Sequence, residues 1–152
     1  MRKVVCVTAI VLLVVVVGIF FISAKKEDTN ITKEKTKVGV LLNGSCDDRS
    51  YSQSHYEGMQ KTAKSLNLDV TYIENAPTDQ RSKELMEGLI KDGCKIIICN
   101  SYDYGDEIVE VAEENPDIYF FHATGIRQSK NLATYFGRIY QMRYLCGIVA
   151  GL

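Results

Sequence analysis

Much that would announce an enzyme is missing from this sequence of 152 residues. There is no G-x-S-x-G nucleophile turn and no cysteine beside a credible base. Neither Gly-rich phosphate loop, G-x-G-x-x-G or G-x-x-x-x-G-K-[ST], occurs. The two histidines, His55 and His122, fall inside a predicted helix and at the end of a predicted strand, positions that read as structural or rim. No CxxC pair is present, and none of the five cysteines stands at a metal-ligand spacing from either histidine. Catalytic set, metal and cofactor are therefore not expected. A basic surplus is also lacking, with 18 basic residues against 19 acidic ones. Setting aside Arg2 and Lys3 leaves a mildly acidic chain, which excludes the basic face that a nucleic-acid partner requires.

What the N-terminus has is a long apolar run. Met1-Arg2-Lys3 is a short basic region, Val4 to Ile22 carries no charge, and Lys25-Lys26 closes the stretch. As a helix it would reach about 28 Å, close to the hydrocarbon thickness of a bilayer. A cleaved signal has a shorter apolar run and an A-x-A-like end. The best cut here, after Ala24, has Ile22 three positions before it. Residues 1–25 therefore read as a signal anchor or a signal peptide that places the chain at the outer face of the cell membrane. Residues 26–36 are polar and charged, a linker. No cysteine lies near Ala24, so lipidation is not expected.

From Lys37 onward strand and helix patterns alternate. Lys37–Leu42 is a β-branched run ending in Asn43-Gly44, a turn signal. Tyr56, Met59, Ala63 and Leu66 fall on one face of a helix over Tyr51–Leu66. Asp69–Glu74 alternates as a strand, and Pro77-Thr78 opens a helix with Leu85, Met86, Leu89 and Ile90 on one side. Lys95–Cys99 is continuously apolar, the pattern of a central parallel strand buried on both sides. A third helix spans Tyr104–Asn115 with Ile108, Val109 and Ala112 inward and Pro116 past its end. Ile118–Phe121 and Ala133–Phe136 read as strands, and an apolar helix begins at Gln141. Cys94, Cys99 and Cys146 lie in apolar surroundings and read as buried free thiols. The fold class is α/β, a three-layer parallel sheet with helices on both faces.

Ligands of such sheets bind at the carboxyl ends of the strands. That rule selects the loops Asn43–Ser54, Asn100–Asp106 and His122–Gln128. In the first, Tyr51 can stack on a flat ring and Ser52 can donate or accept, while Ser50 or Asp48 suits the helix N-cap. The equally simple reading is a capped turn with a surface tyrosine. Adjacent Asp47 and Asp48 do not face each other, so they make no metal site. The second loop holds Tyr102, Asp103, Tyr104 and Asp106, two rings and two carboxylates at a strand end, or else an acidic first turn of a helix.

Four ordered segments resemble one family. They are KVGVLLNG at 37–44, DDRSYSQSHYEGMQ at 47–60, IIICNSYDYGDEIVEVAEENPDIYFFHATG at 96–125 and NLATYFGRIYQMRYLCGIVAG at 131–151. Together they are similar to the basic membrane protein group of ABC-transporter substrate-binding proteins, whose members bind purines or nucleosides. The resemblance implies the first lobe of a type I periplasmic-binding-protein fold over residues 37–152, a purine nucleoside or base as ligand, an ABC permease as partner, and no enzymatic activity. It implies that Tyr51 stacks on the base, that Ser52 makes a polar contact beside it, and that Asp106 reaches the ligand with Tyr104 nearby. Asp48 joins this set as a ligand acceptor. The family continues into a second lobe that is not in this sequence, so half a cleft is expected. The other function kept open is a membrane-anchored sensor or a degenerate paralogue without transport.

Overall fold

A computed structural model describes residues 34–152. The predicted membrane helix and most of the linker lie outside the described residues. Among those described, no helix is long and apolar enough to cross a membrane.

Five strands alternate with helices: β1 (Lys37–Leu41), α1 (Tyr51–Leu66), β2 (Asp69–Ile73), α2 (Arg81–Lys91), β3 (Ile96–Cys99), α3 (Gly105–Glu114), β4 (Tyr119–Ala123), β5 (Leu132–Tyr135) and α4 (Ile139–Ala150). They form one sheet in the order β2-β1-β3-β4-β5, and every neighbouring pair is parallel. Parallel strands need crossovers that cover the faces. Met86 and Leu89 of α2 and Ile108, Val111 and Ala112 of α3 pack on one side, against Leu41, Ile97, Cys99, Phe120 and Leu132. On the other side Tyr56 and Met59 of α1 pack against Val38, Val40 and Leu42. Gly39 lets α2 sit close, since a Cβ there would lie 2.6 Å from Cδ1 of Leu89.

The predicted elements fall where the patterns put them, with local exceptions. The second helix starts at Arg81 rather than at Pro77-Thr78, because Asp79 turns the chain first and accepts the Arg81 backbone N–H at 3.0 Å. The third begins as a single 3₁₀ turn at Tyr102–Tyr104, with Ser101 accepting the Asp103 N–H at 3.2 Å, and becomes α-helical at Gly105. Leu66 is exposed rather than inward.

The central strand is the larger correction. Its unbroken apolar run predicts burial on both sides, yet only Ile97 and Cys99 are fully buried while Ile96 and Ile98 are half-buried. The reason is that α1 covers β1 and β2, but among the described residues no helix covers β3, β4 and β5 on its side. Every residue of α4 is exposed. Cys94 and Cys99 are buried free thiols as expected, but Cys146 on α4 is exposed.

Candidate functional site

The carboxyl ends of β1 and β3 are joined by a partly buried polar network. Both strands run into an asparagine, Asn43 and Asn100. The Asn100 side chain is fully buried; its Oδ1 accepts the Asn43 backbone N–H at 2.9 Å, and its Nδ2 donates to Ser52 Oγ at 3.2 Å. Ser52 Oγ in turn donates to Asn43 Oδ1 at 3.2 Å. Gly44 passes so near that a Cβ there would lie 2.9 Å from Ser52 Oγ. Ser52 is thus a strut tying α1 to the two strand ends. It does not face a ligand from the loop surface as the resemblance implies.

Asp48 starts α1. Its carboxylate accepts backbone N–H groups of Ser50 at 2.8 Å, Ser52 at 3.0 Å and Gln53 at 3.0 Å, whereas Ser50 makes no side-chain cap bond. These bonds, the one from Gln53 foremost, hold its carboxyl below the usual carboxylate range. Its oxygens are committed to the helix start, so of the two N-cap readings the structure has Asp48 doing the work and leaves it little capacity as a ligand acceptor.

Tyr51, on the first turn of α1, is half-buried, and its ring meets His55 edge-on with centroids 4.5 Å apart. His55 Nδ1 lies 3.0 Å from the Tyr51 carbonyl oxygen, which fixes Nδ1 as the protonated nitrogen. The His55 ring is 6.0 Å from Tyr135 at the end of β5. Tyr135 was not among the sequence candidates, although an aromatic at the carboxyl end of a strand is the signal that could have singled it out.

The second loop does not present both its tyrosines. Tyr104 is fully buried, packed in the core with Ile108, and its hydroxyl donates to the Ala76 carbonyl at 3.4 Å. It cannot form a ligand wall, and the exposed ring of this loop is Tyr102. Asp106 is exposed on the first turn of α3 and forms an ion pair with Arg127 from the third loop. These groups line a small cavity of about 70 Å³ with Tyr102, Gly105, His122 and Ile126. The structure therefore brings together Tyr51, His55 and Tyr135 in one cluster, and Tyr102, Asp106, His122 and Arg127 in another. Arg127 was missed because nothing in its neighbours' spacing points it at Asp106.

His122 joins the second and third loops. It is buried, its Nε2–H donates to the Ser101 carbonyl at 2.7 Å, and Gly125 lies so close that a Cβ there would sit 2.2 Å from Nδ1. Burial lowers its pKa from the ordinary 6.5. A depressed value means that the unfolded chain takes the proton first. The contribution of His122 is thus complete above the ordinary value and is lost as pH falls through the folded one. Urea titrations across roughly pH 7 to 5 should show stability falling with pH, and His122→Gln, which keeps a donor for Ser101, should flatten that slope. An unchanged slope in the variant would place the titrating group elsewhere.

Among the described residues no cluster of three or more His, Cys, Asp or Glu side chains is arranged to hold a metal. A family model described as PnrA-like ABC transporter substrate-binding protein matches residues 35–152. A purine-binding protein of Brucella abortus is 30% identical over 120 residues, covering 78% of this chain and 34% of its own length. A putative ABC transporter glucose-binding protein of Haloferax volcanii is 35% identical over 107 residues, covering 69% of this chain and 27% of its own. The chain thus spans about a third of the curated relatives it matches. The solved structure of an ABC transporter solute-binding protein from Conexibacter woesei superposes with a TM-score of 0.67 at 22% identity, covering 76% of this chain and 40% of that one. The five-stranded parallel order, the match over nearly all the described residues and the likeness of fold agree: the chain belongs to the Bmp family of PnrA-like ABC transporter substrate-binding proteins.

Proposed function

We propose that this chain supplies one wall of a cleft that captures a flat, hydrogen-bonding solute, a purine nucleoside or base, at the outer face of the cell membrane and delivers it to an ABC permease. The observation that carries this reading is Tyr51. Its half-buried ring is held by His55 at the start of α1, beside the carboxyl ends of the strands, where ligands of parallel sheets bind. Asp106 provides an exposed carboxylate that accepts N–H or sugar hydroxyl donors, and Arg127 adds a guanidinium next to it. No bond-making step is asked of these residues. They bind and orient. The N-terminal apolar segment, by its composition, would hold the chain at the membrane.

Saturation-transfer NMR on the chain, which detects weak ligands, is the test. Adenosine, guanosine and the free bases should show transfer to the base protons, whereas glucose, the sugar in one relative's name, should not. Tyr51→Ala should weaken binding by about 1–3 kcal/mol, the usual worth of base stacking on an aromatic ring. Transfer to glucose but to no purine would overturn the ligand class, and an unchanged affinity in Tyr51→Ala would remove Tyr51 from the site.

A further inference from the structure

The carboxylate that the proposed site offers from its second loop does not stand by itself. Asp106 lies on the first turn of α3, where a helix N-terminus favours negative charge, and its Oδ1 pairs with Nη2 of Arg127 from the third loop. Other carboxylates of these loops are spent within their own loops. Asp48 holds the N–H groups that start α1, and Asp103 takes the Ser101 hydroxyl at 3.3 Å. The pair with Arg127 engages Oδ1 and leaves Oδ2 open to a ligand's donors.

The side chains of Asp106 and Arg127 are 64% and 57% exposed, and an ion pair that open to water contributes little to stability. Yet the backbone that presents Arg127 is held in a costly shape. Thr124 has a φ of 62°, a left-handed conformation that a β-branched residue rarely adopts. Its N–H donates to the Tyr135 carbonyl at 2.8 Å, beyond the last registered pair of β4 and β5. Gly125 then passes the His122 ring more closely than any side chain would allow, and His122 is itself bonded to Ser101 of the second loop. The third loop is thus folded down on the second, and two residues later the chain sets Arg127 against Asp106. Strain at a non-glycine residue persists only where its surroundings over-determine it, and such residues gather at ligand clamps.

We infer that Arg127 is a positioning residue for solute capture, holding the Asp106 carboxylate in one orientation without touching the solute itself. This rests on the reading of Asp106 as an acceptor for the solute's N–H or hydroxyl donors. A carboxylate already held in place loses less freedom when the solute arrives, so pairing raises affinity by preorganisation. The pair also carries no net charge, which suits the wall it forms to an uncharged nucleoside or base.

A double-mutant cycle on the full chain tests the inference, with purine affinity read by saturation-transfer titration. Arg127→Gln should weaken binding of adenosine or guanosine by about two- to fivefold, the range of an exposed pair's coupling. Arg127→Lys, which keeps the charge but not the planar fork, should recover part of the loss. In an Asp106→Asn background Arg127→Gln should change nothing, because the group it positions is gone. Salt supplies an independent readout, since these ligands are uncharged. At about 1 M salt, where screening acts within about 3 Å, the gap between the wild-type and Arg127→Gln affinities should close. An equal loss from Arg127→Gln with the Asp106 carboxylate present or absent overturns the inference, because the guanidinium would then meet the solute directly. An affinity indifferent to Arg127 overturns it as well. Failure of every purine to bind sinks the ligand class and the role of Arg127 together, whereas purine binding without the coupling sinks that role alone.

Discussion

Phe120→Ala should lower the unfolding free energy by about 3–5 kcal/mol, the range for deleting a fully buried phenylalanine from a packed core. Phe120 is 1% exposed and stands in register between Ile97 and Leu132, on the side that α2 and α3 cover. Its ring therefore lies in the one core cluster that holds the apolar residues of both helices and of the two neighbouring strands. The adjacent Phe121 supplies the comparison. It points to the side that α1 does not cover and is 38% exposed, so Phe121→Ala should cost on the order of 1 kcal/mol. Urea denaturation followed by circular dichroism measures both; the chain has no tryptophan to serve as a fluorescent probe. Equal losses for the two variants would mean that the two sides of β4 are buried alike, contrary to the structure.

Asn100→Ala should cost roughly 2–4 kcal/mol, for a different reason. The substitution leaves the part-buried Asn43 N–H without its acceptor and the buried Ser52 Oγ without its donor, and leaving a buried polar group unmatched costs about 1–3 kcal/mol. The damage should extend to binding, because the same three side chains fix where β1 ends and where α1, with Tyr51 on it, begins. Affinity for a purine should therefore fall together with stability in Asn100→Ala, whereas Tyr51→Ala should lose affinity alone. A stability loss below about 0.5 kcal/mol would show that water replaces the carboxamide and that the network is no strut.

The elements were legible in the sequence because apolar spacing sets them. Tyr51–Leu66 is helical as its period predicts, and the strand runs pair in the parallel order that the alternation of strand and helix requires. Two of the misplaced site residues were legible too. Ser52 shares the stripe of Tyr56, Met59 and Ala63, and Tyr104 stands four residues before Ile108, so the phase of each helix already points both side chains inward. A loop position at a strand end is not enough; the phase of the helix that follows has to be read with it. The pairing of Asp106 with Arg127 and the wedge of Gly125 on His122 were not legible, because they depend on how two loops fold over each other. The half-exposure of Ile96 and Ile98 was not legible either, since a residue's own pattern does not say whether its cover is in place.

The strand order has a consequence for how this lobe is made. β1 emerges first from the ribosome and lies inside the sheet, β2 adds to one of its edges, and β3, β4 and β5 add in turn to the other. Each new strand meets a partner already synthesised, and none has to be inserted between two that are already paired. Such a sheet can grow in the direction of synthesis, one strand and its crossover at a time, with every addition made at an open edge.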